Sequence, residues 1–318
     1  MRKPLLTALL AFGLSTVPAL AEWTYIDGGG KTITLPEAPK RIVAHANAAA
    51  ALIPLGIRPV AIYVDSPVAD DMSLKGLDLT GIEIIGEAWG EIDIEKLAAI
   101  DPDLIVAEFW PLEKAYSGME ASAAADATLI EGIAPVGGPA QGDSIVTLIA
   151  DYEALAASLG ADLGKPEIAA AKVRFEAARD AFKTGVAAKP DFQALAVWAG
   201  TDALYVASPD GSSELSDFKA WGLDIVTPET ADDRGYWETL SWENADKYQP
   251  DLVMVDDRSA TTIDTAKAQP TWTTIKAAAA GAVTNWPAFW MRNYKVYAEQ
   301  LEHLTGVIAA TDEHLSER

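Results

Sequence analysis

Aromatic side chains gather where apolar runs of this chain end. Trp89 follows Ile84-Ile85-Gly86, Phe109 and Trp110 follow a run that stops at Ala107, and Trp198 closes a run begun at Ala194. Tyr236 and Trp237 stand just after Arg234, while Trp286, Phe289 and Trp290 open the last long helical pattern. An indole at a loop tip is costly unless it lines a site, and its flat face there would stack on a planar or apolar ligand. Trp221 and Trp272 lie within helical patterns and read as core. Cations are scarce, so the two near these ends carry information. Arg258 lies just after Leu252–Val255, and Arg234 lies in a loop rich in Asp and Gly. Either suits an anionic or carbonyl-rich ligand, or neutralises Asp232, Asp233, Asp256 and Asp257. His45 ends the run Arg41–Ala44; a neutral imidazole there either ligates haem or a metal, or hydrogen-bonds its loop. The other two histidines, His303 and His314, fall far along the chain, which argues against a His-rich zinc or manganese site.

Catalytic patterns are missing. There is no G-x-S-x-G, no H-E-x-x-H and no G-x-x-x-x-G-K-[ST], and Gly28-Gly29-Gly30-Lys31 lacks the phosphate-loop spacing. Asp256 and Asp257 are adjacent in a strand-end turn and so point apart. Glu108, beside Trp110, is a carboxyl whose pKa a glycosidase would raise, but no partner carboxylate is identifiable.

The composition narrows the class. A chain of 318 residues with 50% apolar content is long enough for one large domain or two ordinary ones, and too apolar for disorder. Its formal net charge of −23 repels phosphate backbones, so no nucleic acid is expected as a partner. With no Cys, disulfides, thiolate metal sites and an anchoring lipidated Cys are excluded. Arg2 and Lys3, the apolar stretch Leu5–Leu14 and Ala19-Leu20-Ala21 together read as a secretory leader cleaved before Glu22. The apolar stretch falls short of the roughly 20 residues that span a bilayer.

Such strand-end residues need strands and helices in alternation to hold them. Lys31–Leu35 alternates as an edge strand, Arg41–Ala44 and Pro59–Val64 read as buried strands, and Ala46–Leu55 is an Ala-rich helix between them. Ile92–Ile100 is amphipathic, and Leu104–Ala107 is the continuous apolar run of a parallel strand covered on both faces. From Asp143 to Leu159 apolar residues recur every three or four positions, the pattern of one helix about 25 Å long. A second long helix follows over Ile168–Gly185, then strands at Ala194–Trp198, Leu204–Ala207, Leu223–Val226 and Leu252–Val255, and a last helix over Phe289–Ala310. The alternation predicts an α/β layer structure.

Two segments superpose in sequence. Glu95 and Pro102-Asp103-Leu104 keep the same spacing as Glu243 and Pro250-Asp251-Leu252. Each reads as a short helix stopped by Pro and feeding a buried strand. The repeat predicts two similar lobes with Asp143–Leu159 as their connector.

Together these features resemble the helical-backbone periplasmic substrate-binding proteins of ABC importers, the group that carries iron–siderophores, haem and cobalamin. The likeness rests on Leu35-Pro-Glu-Ala-Pro-Lys-Arg41-Ile-Val43, Leu55-Gly56-Ile57-Arg58-Pro59-Val60, Ile94-Glu95 through Ile105, and Leu240-Ser241-Trp242-Glu243 through Val253. The resemblance implies two Rossmann-like α/β lobes joined by a single long α-helix, with a ligand cleft between them. It divides the chain into a leader (1–21), a first lobe (22–142), the connecting helix (143–160) and a second lobe (161–318). It implies docking of Glu95 and Glu243 on a permease dimer with its ATPase subunits, a monomeric receptor in the periplasm, and no catalysis. No intrinsic cofactor is expected; the ligand expected is an Fe(III)–siderophore complex, with haem or cobalamin as alternatives and an exported hydrolase using Glu108 as a more distant one. The predicted ligand-binding set is His45, Trp89, Trp110, Trp198, Arg234, Tyr236, Trp237, Arg258 and Trp290. Indoles suit a neutral or weakly charged chelate better than a triply anionic catecholate, which would want several Arg.

Overall fold

The computed structural model describes residues 22–121, 123, 126–232, 235–258 and 261–317. The proposed leader and Arg234 lie outside the described residues.

A hairpin of β1 (Trp23–Ile26) and β2 (Thr32–Leu35) opens the chain. β3 (Ile42–His45), α1 (Ala46–Leu52), β4 (Ala61–Val64), β5 (Glu83–Glu87), α2 (Ile94–Ile100) and β6 (Leu104–Val106) follow. A small hairpin, β7 (Phe109–Trp110) and β8 (Ala115–Tyr116), precedes α3 (Ala127–Ile133) and β9 (Val136–Gly137). Strands β5-β4-β3-β6-β9 form one wholly parallel sheet, in register Ile42↔Leu104 and Val43↔Ala61. Every residue of β3, β4 and β6 is buried, which is why these strands read as unbroken apolar runs. The strand order reverses at β3, whose neighbours are β4 and β6. His45, its last residue, therefore stands at the switch point, beyond which open α/β sheets leave a crevice.

The connector is α4 (Ile145–Ser158), whose buried face carries Ile145, Leu148, Ile149, Tyr152 and Leu155 at the predicted spacing. Ser144 caps it, and Asp217 accepts a 3.0 Å hydrogen bond from the Ile145 N–H. Its other end receives Trp23, whose Nε1 donates to the Ser158 carbonyl at 3.1 Å. α5 (Pro166–Ala187) begins with Pro at its first turn, where a missing N–H costs nothing.

A second sheet is built from β10 (Gln193–Ala199), β11 (Ala203–Ala207), β12 (Asp224–Ile225), β13 (Trp237–Ser241), β14 (Leu252–Asp256) and β15 (Val283–Trp286). α6 (Ser213–Ala220), α7 (Thr262–Lys267) and α8 (Lys276–Ala279) lie between its strands in sequence, and α9 (Tyr294–Ala310) closes the chain against α5. β10 pairs parallel with β12 and β14 and antiparallel with β11, so this sheet is mixed where the first is parallel.

The sequence repeat has a shared geometry. The Asp103 side chain accepts from the N–H groups of Lys40 and Arg41, both at 2.8 Å, where the chain enters β3. The Asp251 side chain accepts from Gln193 N–H at 3.0 Å, where it enters β10. The helix ahead of the first copy is α2; ahead of the second it is a 3-10 turn over Trp242–Lys247, not an α-helix. One expected boundary also moves. The last helix starts at Tyr294, capped by Asn293, because Phe289 adopts φ 62° and breaks any helix there. Trp286 accordingly ends β15 as a fully buried core residue.

Candidate functional site

A cleft of about 500 Å³ opens between the carboxyl ends of β3 and β4, the β7–β8 hairpin, and the segments around Tyr236, Arg258 and Phe289. Six aromatic side chains line it: Trp89, Trp110, Tyr236, Trp237, Phe289 and Trp290. Trp89 is 43% exposed, a high value for an indole. Trp110 is oriented by a 2.9 Å bond from its Nε1 to Ser117 Oγ, and Trp290 by a 2.6 Å bond to Asp257 Oδ1. The rings meet across the divide, with Trp110 and Phe289 centroids 5.4 Å apart and Tyr236 a further 5.7 Å from Phe289. Tyr236 reaches this position because residue 211 is glycine; a Cβ there would stand 2.3 Å from its ring. The Tyr236 hydroxyl is out of solvent with no hydrogen-bond partner among the described residues.

The polar groups divide by wall. Arg258 is gripped by Asp256 through Nε at 2.9 Å and Nη2 at 2.7 Å, and its guanidinium lies 5.1 Å over the Phe289 ring. His45, 1% exposed, is 3.1 Å from Asp65 Oδ2 through Nε2, while its Nδ1 faces Asn47 N–H at the start of α1. Burial opposes charge on this imidazole, but the Asp65 carboxylate outweighs it and raises the pKa. Burial likewise works against the charged form of Asp65, and His45 with Arg258 prevails, holding that carboxyl low. Asp257 behaves otherwise: burial, opposed by the Trp290 bond and aided by the Asp256 charge, pushes it up to about 7. The adjacent Asp256 and Asp257 thus serve different partners, as expected of neighbours pointing apart.

Beneath the aromatic wall lies a closed polar knot. Glu108 and Arg292 are 0% and 1% exposed and form a bidentate pair, Arg292 Nε to Oε1 and Nη2 to Oε2, the latter at 2.9 Å. Tyr152 of α4 donates to Oε1 at 3.1 Å and Gln141 to Oε2 at 2.9 Å, so both carboxylate oxygens are saturated. Burial alone would push Glu108 up, yet Arg292 overrides it and holds the carboxyl below its usual range. This overturns the expectation of a raised glycosidase-type acid. A second buried acid, Glu214, accepts from Trp286 Nε1 and Phe289 N–H, both at 3.1 Å, and fixes the backbone of the aromatic wall.

Of the residues singled out in sequence, His45, Trp89, Trp110, Tyr236, Trp237, Arg258 and Trp290 come together around the cleft. Trp198 stands outside its wall: on β10 it packs on Tyr205 at 4.7 Å and behind Trp237 at 6.4 Å, 38% exposed on the sheet face. Glu95 and Glu243 are exposed in the first turns of the two repeat helices, away from the cleft lining. Sequence reading missed Asp65, Asp71, Glu113 and Glu120. Asp65 directly follows β4 and was open to the same strand-end logic; the other three sit in segments without periodic signal.

A family model described as periplasmic binding protein matches residues 69–288. Among curated proteins no sequence matches. Among solved structures, DesE, a ferric-siderophore receptor protein from Streptomyces coelicolor, superposes with a TM-score of 0.83 at 28% identity, over 92% of this chain and 99% of that one. PiuA, an iron uptake ABC transporter substrate-binding protein from Streptococcus pneumoniae, gives 0.63 at 19% identity, over 92% and 100%. FhuD2 from Staphylococcus aureus, solved with bound ferrioxamine B, gives 0.59 at 18%, over 85% and 98%. The last two share the fold with this chain.

Proposed function

Because this chain belongs to the periplasmic binding protein family, we propose that it captures a ferric siderophore between two lobes and delivers it to an ABC importer. The observation that carries this reading is the cleft, lined by six aromatic side chains drawn from both halves of the chain. Indole faces exclude water from the organic shell of a chelate, while Arg258 and the Tyr236 hydroxyl donate to its carbonyl or hydroxamate oxygens. The receptor role of DesE supports the same assignment. His45, held by Asp65, is in this reading an orienting residue at the cleft base rather than an iron ligand.

The lobes are taken as residues 22–142 and 161–318 with 143–160 between them. Residues 1–21 direct export, and the protein works in the periplasm as a monomer; no described helix is long and apolar enough to cross a membrane. Glu95 and Glu243, exposed at equivalent places of the repeat, dock on basic pockets of the permease dimer, where paired charges fix orientation and speed encounter. Replacing both by Ala should abolish stimulation of the importer's ATPase subunits while ligand capture persists; undiminished stimulation would remove the docking assignment.

Titration of the intrinsic Trp fluorescence tests the main reading. Ferric hydroxamates are expected to quench it, since the wall rings contact the chelate. Quenching by haem or cobalamin and by no ferric hydroxamate would overturn it.

A further inference from the structure

Trp198 is an exposed indole that the cleft does not use, and it does not stand alone. It pairs across strands with Tyr205 of β11, which pairs in turn with Thr239 of β13, the edge strand of the second sheet. Directly paired residues point to one side of a sheet, so these side chains make a row across its open end. Trp198 is 38% exposed, Tyr205 half-buried and Thr239 exposed, whereas Ala194, Ala196 and Ala207 on the same side are fully buried in the core. Along β13 this side carries Trp237, Thr239 and Ser241. Trp237 lines the cleft and lies 6.4 Å from Trp198 and 6.3 Å from Tyr205. Ser241, also exposed, donates its hydroxyl to the Glu243 carboxylate; the N–H of Glu243 and this bond together hold that carboxyl below its usual range. The face therefore runs from the cleft rim to Glu243 over about 13 Å of strand. Asp202, exposed and 3.4 Å from the Tyr205 hydroxyl, adds a second carboxylate at its border.

We propose that this face is a docking surface for a permease subunit: an apolar or aromatic periplasmic segment of the permease seats on Trp198, Tyr205 and Thr239, beside the cation that takes Glu243. The inference rests on the docking role given to Glu243 above and extends it from one carboxylate to a surface. An exposed aromatic patch rimmed by charge is the composition of a protein–protein contact. An anchoring indole supplies more of the energy of such a contact than an exposed carboxylate does. Glu243 orients the encounter, and the aromatic row holds the complex. Because Trp198 packs behind Trp237, the docked segment lies one ring away from the cleft.

The test uses the full receptor and its importer, the permease dimer with its ATPase subunits, in lipid nanodiscs. Thr239→Arg, which sets a cation on the face, and Trp198→Thr should each raise the receptor concentration giving half-maximal ATPase stimulation by at least about tenfold. Capture of a ferric trihydroxamate, read from tryptophan quenching, should stay within about twofold of wild type in Thr239→Arg. The chain has no cysteine, so Thr239→Cys carries a single thiol for a photoreactive label, which should cross-link to a permease subunit. The same label at Val173→Cys, 66% exposed on α5, should not. Unchanged half-maximal stimulation in both face variants, with the Glu95→Ala, Glu243→Ala double variant inactive, would overturn the surface and leave the glutamates standing. Loss of ligand capture in both face variants would assign the row to the ligand, and cross-linking of Thr239→Cys only to a second receptor would make it a self-association face; either result overturns the proposal. Stimulation unaffected by the face variants and by the glutamate pair alike would remove the docking reading itself.

Discussion

Phe289 occupies φ 62°, a region where a Cβ crowds the following carbonyl at a cost of about 1–2 kcal/mol. The surroundings impose it: the Glu214 carboxylate takes the Phe289 N–H, and the ring is held against Trp110, Tyr236 and Trp286. This gives a sharp contrast between two substitutions. Phe289→Ala and Phe289→Gly both lose the ring and with it ligand affinity, but only Gly accepts the backbone without strain. The Gly variant should therefore be the more stable by about 1 kcal/mol, the reverse of the usual order. Urea midpoints of the two variants decide it; an Ala variant as stable as the Gly variant would mean that the backbone stores no such cost. The sequence made Trp110 legible, because a strand-end position is a local property; Tyr236 and Trp237 instead stand where β13 begins. It left Glu214 silent, since a buried acid on α6 acquires meaning only when Trp286 and Phe289 fold onto it.

The strands of the first sheet were legible for the same reason that they are stable: buried on both faces, they admit only apolar residues, as in β3, β4 and β6. α4 was legible through its one buried stripe. Less visible were β1, the β7–β8 hairpin and the extended segment before α9, which are set by pairing and capping rather than by periodicity. The Pro-Asp repeat lies between these extremes, since its spacing is plain in sequence and its purpose is not. Both aspartates close the entrance of the neighbouring strand, but Asp103 is exposed whereas Asp251 is fully buried and also accepts from Ser316 N–H at 2.9 Å. Asp103→Ala should cost about 1–2 kcal/mol, as loss of a carboxylate cap does. Asp251→Ala should cost more, because it strands buried N–H groups that water cannot reach. Urea denaturation of the two variants gives the ranking, and equal losses would show that burial does not set the cost of this turn.

At the scale of the molecule, the Glu108–Arg292 pair joins the end of β6 to the segment that leads into α9, with Tyr152 of α4 and Gln141 completing its bonds. Asn293, next along, donates to the Ala50 carbonyl of α1 at 3.2 Å, so residues from the far end of the chain are seated in the first half. Ion pairs this deeply buried barely repay their desolvation, and their removal as a pair is often tolerated. Removal of one partner is not, because the other is left charged and dry. Glu108→Gln and Arg292→Met should therefore each cost about 3–5 kcal/mol, and the double variant clearly less than their sum. The pH dependence has a definite sign. Arg292 holds Glu108 below its usual range in the folded protein, so the pair's contribution is present above the unfolded carboxylate pKa of about 4.3 and is lost as pH falls through the lower folded value. In Arg292→Met that depression is gone and burial pushes Glu108 up, so the stability gap between wild type and variant should be full at pH 7 and close in acid. Urea midpoints of the four proteins across this range test both statements together. Additive losses, or a gap independent of pH, would mean that packing around Met291 and Asn293, and not this charge pair, fastens the two halves of the chain behind the cleft.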